Sequence, residues 1–369
     1  MTFKIRMLPA FEGDALWITW GDMESPYQML VDMGSLKTGE LLYKEIESLS
    51  PERRKFELAV VTHIDSDHIG GMINCFVKRP ALEGLEIKDI WFNGYEHLDN
   101  TTQDHNTESL GAYQADELTK WLLENGRWNL AFEKGAVVAS ETTALPPIEL
   151  PGGMKVTVLG PSPQRLNQLK PVWKKQLTKA LLNKPLIEPA DGVEAMGGSN
   201  VPETRFQLKK VAEMPEHPDP SVPNGSSIVL MLEYSDQRVI LAGDAWADDL
   251  LKMIRTLSPD GPLELDAFKV PHHASRFNVT ESLVKSLKCK SWLISTNGSR
   301  HHHPDNEAIA KIIHYSLVQP ADLSFNVLST WNEHWLSTNR QAKLGYNANH
   351  GDDLVGLSHT ICISSACEK

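Results

Sequence analysis

Long apolar runs are missing from this chain. Nowhere do about eighteen apolar residues follow one another, which argues against a membrane-spanning helix. The first residues, "MTFKIRMLPAFEG", place no basic region ahead of an apolar core, so no secretory signal peptide is read there. Cysteine is scarce as well: Cys75, Cys289, Cys362 and Cys367 are the four in 369 residues. No two form a CxxC pair, and their spacing gives no small disulfide framework. The expectation is a cytoplasmic protein with reduced thiols and no membrane partner. Positive charge is also short, with Lys+Arg 36 against Asp+Glu 48 and a formal net charge of -12. That balance argues against a surface that coats nucleic acid or anionic lipid, while leaving room for a local basic groove. No internal repeat of the solenoid or propeller kind is found.

What is present reads as a globular chain. Hydrophobic residues at 41% and charged residues at 23% can build and solvate a large core, and one domain over 1–369 is expected. Phe3, Ile5 and Met7 alternate with polar neighbours, and "DALWITW" and "YQMLVDMG" follow, so three strands of a meander are predicted. "TGELLYKEIESL" has helical spacing with Thr38 as N-cap. "FELAVVTH" and "IKDIWFNGY" read as strands, the first buried on both faces. "SLGAYQADELTKWLLENG" reads as a helix stopped by Gly126, and "IELPGGMKVTVLGPS" as a hairpin turning at Gly152-Gly153. Two apolar strands flank the turn "SDQR", and "LDAFKVPHHAS", "SWLISTNGS" and "LSFNVLST" supply more. Residues 184–223 are rich in Pro, Gly and acids and read as an insertion or mobile surface loop. The sum is an α/β chain with two sheets covered by helices.

The densest chemistry lies in "VTHIDSDHIGG". His63, Asp65, Asp67 and His68 follow an apolar strand and lead into two glycines. A strand end is a stiff platform, and imidazole with carboxylate suits zinc, manganese or iron. The glycines allow the next helix to start close to the site. The competing reading is a polar turn whose aspartates cap that helix. Asp244 after "RVILAG", the pair His272 and His273 after "AFKV", and "RHHHP" are further candidates, with His303 favoured and His301 and His302 facing solvent. Asp32 in "VDMGS" is expected to brace the site by hydrogen bonding.

These segments together resemble the metallo-β-lactamase superfamily. "THIDSDHIGG" is similar to its HxHxDH loop, with Asp65 in place of the second histidine. That variant resembles the branch of the hydrolase domain of the DNA-uptake competence channel and its soluble relatives. "NGSSIVLMLEYSDQRVILAGDA", "FKVPHHAS" and "ISTNGSRHHHPD" match further motifs of that branch in order. The middle of the chain and the extension 310–369 carry little of it. The resemblance implies an αββα sandwich with a two-metal site at one edge. In it, His63 and Asp65 would bind one ion and Asp67 and His68 the other. Asp244 would bridge them, and His273 would complete the second. His272 and His303 would stand nearby as proton donors or further ligands. The superfamily's usual histidine is replaced by Asn224, which would weaken the first site, favour manganese there, or call on a histidine such as His217. Zinc is the expected cofactor, as two ions or one, with manganese as the alternative.

Two ions a few Å apart generate hydroxide near neutral pH and neutralise charge on a phosphoryl group. The expected activity is therefore metal-dependent hydrolysis of a phosphoester, as a phosphodiesterase or nuclease on nucleotide or nucleic acid. Asp67, His272 and His303 are the catalytic candidates. A carbonyl substrate such as a lactone, thioester or β-lactam would use the same site. A non-catalytic metal-binding regulatory module is the reading outside enzymes. "RWNLAFEK", "KPVWKKQLTKALLNK" and "RFQLKK" interleave basic and aromatic residues and are the candidate nucleic-acid strips.

Overall fold

The computed structural model describes residues 1–98, 110–140, 142–143, 145–181 and 206–361. Residues 184–205 of the segment read as an insertion, with His105, Cys362 and Cys367, lie outside the described residues.

The N-terminal meander forms as its alternation predicts. Strands β1 (Thr2–Met7), β2 (Ala15–Gly21) and β3 (Pro26–Met33) pair antiparallel. Phe3, Ile5 and Met7 are buried while their neighbours reach the surface. Helix α1 (Leu36–Ser48) begins earlier than the spacing predicts. Its N-cap is Ser35, and Thr38 is buried inside the first turn, its hydroxyl 3.3 Å from that of Ser35. Strand β4 (Lys55–Phe56) pairs with β6 (Glu86–Ile87), while β5 (Leu58–Val60) and β7 (Ile90–Trp91) join the first sheet parallel to β3. Helix α2 (Ser66–Met72) follows β5 directly.

Gly71 is what lets α2 lie against β3, and Gly70 lets it approach the start of α1. A Cβ on Gly71 would stand 1.7 Å from the carbonyl oxygen of Met33, so the close approach needs glycine. Helix α3 (Leu110–Asn125) stops at Gly126, whose positive φ of 70° ends it. Strands β8 (Ile148–Leu150) and β9 (Met154–Gly160) form the hairpin that turns at Gly152-Gly153.

Helix α4 (Pro163–Leu181) is followed, in the described residues, by α5 (Leu208–Ala212) and α6 (Val222–Gly225). Strands β10 (Val229–Tyr234) and β11 (Gln237–Leu241) turn through Ser235 and Asp236, both at positive φ, as a tight right-twisted hairpin requires. Then come α7 (Ala247–Leu257), β12 (Leu263–Lys269), α8 (Glu281–Lys285), β13 (Leu287–Ile294) and α9 (Asn306–Tyr315). The chain closes with β14 (Ala321–Phe325), α10 (Thr338–Leu344), β15 (Tyr346–His350) and β16 (Leu357–Thr360).

Two mixed sheets result. The first has the order β16-β1-β2-β3-β5-β7 and the second β15-β14-β13-β12-β11-β10-β9-β8. Both draw strands from the last sixty residues. One apolar cluster joins side chains of both sheets, from Phe3, Ile5 and Leu16 to Val158, Leu230 and Leu293. A second cluster lies between the first sheet and α1, α2, α3 and α4. The chain is thus an α/β protein whose sheets share a core. Parallel strands β5, β11, β12 and β13 carry the loops with the candidate residues at their carboxyl ends, where α/β sheets commonly place their sites. No helix among the described residues is long and apolar enough to cross a membrane.

Candidate metal centre

Asp244 sits just beyond β11 and is buried. Its Oδ2 atom faces four imidazoles. The Nε2 atoms of His68, His273, His63 and His272 lie 3.4, 3.5, 3.8 and 4.0 Å from it. Asp67 Oδ2 is 3.5 Å from His273 Nε2 and 3.8 Å from His68 Nε2. Asp65 Oδ2 is 3.5 Å from His63 Nε2. Asp65 occupies the N-cap position of α2 but makes no capping hydrogen bond with its side chain, so the simple capping reading does not describe it.

The other ring nitrogens are spoken for. His68 Nδ1 is 2.8 Å from Asp32 Oδ2, and Asp32 also accepts from the backbone N–H of Thr62 at 2.8 Å and its hydroxyl at 2.7 Å. His63 Nδ1 lies 3.0 Å from the Thr62 hydroxyl. His273 Nδ1 donates to the carbonyl oxygen of Ser295 at 2.8 Å. A neutral ring that donates through Nδ1 presents the Nε2 lone pair, which is what a metal accepts. His63 Nε2, His68 Nε2, His273 Nε2 and Asp244 Oδ1 are buried and have no hydrogen-bond partner. Such atoms are costly unless something satisfies them. Ligands about 2.0–2.2 Å from one ion at tetrahedral angles stand about 3.4 Å apart, close to the separations seen here. Four overlapping sets of donors lie close enough to hold a metal ion: His63/His68/Asp244, Asp67/His68/His273, Asp14/Asp32/His68 and Asp14/Asp244/His273. The donors fit a divalent cation.

The electrostatics agree. Burial opposes charge on Asp244, yet the imidazoles of His68, His273 and His272 hold its carboxyl well below the usual range. Burial likewise opposes charge on His273, but Asp244 and Asp14 push its pKa up to about 9. This is a pocket of negative potential that draws cations. Its backbone is strained as well: Asp32, His272, His273 and Ala274 all sit at positive φ, uncommon for residues with a side chain.

Several contributors were invisible in the sequence reading. Asp14, from the loop before β2, is buried, pairs with the fully buried Lys269 and lies 3.4 Å from His273 Nδ1. Asp219 is buried 3.4 Å from His272 Nδ1 and accepts hydrogen bonds from Asn224 and Asn278. "GD" at Gly13-Asp14 and the isolated Asp219 carry no motif that marks them. His217, offered as a possible extra ligand, is exposed; the segment reaches the site through Asp219 two residues later. Asn224 uses its amide to hold Asp219 and also lies 3.2 Å from His272 Nδ1.

His303 is buried, with its ring 5.4 Å from that of His272 and its Nδ1 3.5 Å from Asp305 Oδ2. His302 is not simply solvent-facing: it stacks on Trp331 with ring centroids 3.9 Å apart. The candidate nucleic-acid strips offer little to stack on. Trp128, Trp173 and Phe206 are all buried in the two cores, and Phe132 packs edge-on against Trp91.

No family model matches the chain. ComE operon protein 3 of Bacillus subtilis (strain 168) is 31% identical over 104 residues, 28% of this chain. The match covers 13% of that longer protein, which makes the relation a distant one.

Proposed function

We propose that the chain is a metal-dependent phosphodiesterase of the metallo-β-lactamase type, with a binuclear site around Asp244. The observation that carries this reading is the convergence of four imidazole Nε2 atoms on one buried carboxylate oxygen. On this reading Asp67, His68 and His273 would hold one ion, His63 and Asp65 would serve the other, and Asp244 would be available to either. The mixed imidazole and carboxylate donors suit zinc or manganese. Divalent ions bound there supply an activated water near neutral pH and neutralise the oxygens of a phosphoryl group.

The chain's own groups do the rest. Asp32, Thr62 and Ser295 hold the rings so that their Nε2 lone pairs face inward. Asp67 reaches across to His273 and keeps the His68 side negative. His303, oriented by Asp305, stands on the His272 side and delivers the proton to the leaving oxygen. Two mixed sheets that share a core, and the resemblance of "THIDSDHIGG", "AGDA" and "FKVPHHAS" to that superfamily, support the same reading. The substrates favoured are nucleotides and short phosphodiesters, because Trp128, Trp173 and Phe206 of the basic strips are buried and Phe132 packs against Trp91.

The test is turnover of a generic phosphodiester by untagged protein purified without chelators, with zinc or manganese added back. Activity that Asp244→Ala abolishes in a folded chain is expected. Cleavage of lactones or thioesters in preference to phosphodiesters would overturn the substrate class, and unchanged activity in Asp244→Ala would remove Asp244 from the site.

A further inference from the structure

Two carboxylates outside the motifs stand behind the two consecutive histidines. Each lies 3.4 Å from an Nδ1: Asp14 Oδ1 from His273, and Asp219 Oδ2 from His272. They arrive from unrelated parts of the chain, the loop before β2 and the segment before α6. Each is fixed by other partners. Asp14 is paired with Lys269, and neither side chain is more than 1% exposed. Asp219 Oδ2 accepts from Asn224 Nδ2 and Asn278 Nδ2, both at 2.9 Å.

Two acceptors, Asn278 Oδ1 and Asp219 Oδ2, face His272 Nδ1 against one amide nitrogen, Asn224 Nδ2 at 3.2 Å, so the balance of partners puts the proton on Nδ1. The amide N–H groups of Asn278 go to Asp219 and to the carbonyl oxygens of Asp244 and Ala245. Its Oδ1 is therefore the acceptor for His272 Nδ1–H at 2.9 Å. The lone pair of His272 is left on Nε2, which faces Asp244 Oδ2 at 4.0 Å. His273 Nε2 faces the same Asp244 Oδ2 at 3.5 Å but also lies 3.5 Å from Asp67 Oδ2, and the two rings are 71° apart with centroids separated by 5.8 Å.

We propose that the adjacent histidines are divided between two metal positions, His273 on the Asp67/His68 side and His272 on the His63/Asp65 side, and that Asp14 and Asp219 are the positioning residues that fix this division. The proposal rests on reading the site as a metal centre. Partners behind ligating histidines set ring orientation and ligand basicity, and their loss commonly costs 10–100-fold in metal affinity.

The experiment is a calorimetric and spectroscopic titration of the full chain with cobalt(II), with His63→Gln and Asp67→Asn marking the two sides. Asp219→Asn is expected to weaken the ion that His63→Gln weakens, by about 10–100-fold, and to leave the other unchanged. Asp14→Asn is expected to weaken the ion that Asp67→Asn weakens. Because Asp14→Asn strands the buried Lys269 and can prevent folding, Asp14→Asn/Lys269→Met removes both charges and keeps the test open. A purely structural role would lower the melting temperature without choosing one ion. Equal effects on both ions, or none, would overturn the proposal. A wild-type chain that takes one ion only overturns the division and leaves the metal centre standing. A wild-type chain that takes no divalent ion sinks the reading of the site itself.

Discussion

His68 joins two carboxylates through one ring: its Nδ1 is 2.8 Å from Asp32 Oδ2 and its Nε2 is 3.4 Å from Asp244 Oδ2. The ring is fully buried, and burial alone would keep it neutral. Asp244, Asp32 and Asp67 overcome that and raise its pKa well above the ordinary histidine value. A cation, proton or metal, is what this position favours. Asp32 is the anchor, since it also takes two hydrogen bonds from Thr62.

Replacing Asp32 by Asn keeps the shape and removes the charge behind His68. Metal affinity is expected to fall about 10–100-fold, read by competition with a chromophoric chelator. An unchanged affinity would show that His68 does not depend on Asp32.

The pairing of α2 with β3 is a second point of test. Gly71→Ala would push a Cβ to 1.7 Å from the Met33 carbonyl oxygen, so backbone must move. The loss of stability should be on the order of 3 kcal/mol, read by urea unfolding. Because α2 carries Asp67 and His68, metal affinity should fall with it. A variant as stable as wild type would mean that the helix can shift without cost.

His334 gives the chain a pH-sensitive increment away from the site. Burial, with Arg340 nearby, lowers its pKa to about 4, and its Nε2 donates to Asn306 Oδ1 at 2.8 Å. The unfolded chain has a histidine near 6.5. The depressed pKa therefore adds stability that is present above about 6.5 and is lost as pH falls toward about 4, at no more than about 1.4 kcal/mol per pH unit. His334→Gln should flatten that part of the stability profile, measured by denaturant unfolding from pH 7 to 4. Identical slopes for the two proteins would contradict the shift.

Much of this was legible because short-range patterns carried it. The alternation at Phe3, Ile5 and Met7, the stop at Gly126 and the Gly152-Gly153 turn depend on neighbours in sequence, and they form as read. The start of α1 did not follow its spacing: Ser35 stands at the helix end, and Thr38 is buried inside the first turn. At the site, His63, Asp65, Asp67 and His68 stand out because they crowd into one strand end. Asp14, Asp219 and Asn278 do not, since each reaches the site from a loop that the tertiary fold, not its sequence neighbours, brings there. Burial likewise hid the fate of Trp128, Trp173 and Phe206, whose basic neighbours suggested a stacking surface.

Metal content of the untagged protein, purified without chelators and set beside Asp244→Ala, tests the centre most directly. The arrangement predicts bound zinc or manganese, with two equivalents in the wild type and a marked loss in the folded variant. Equal metal in both proteins, or none in the wild type after zinc, manganese and iron have been offered, would contradict a centre built on Asp244.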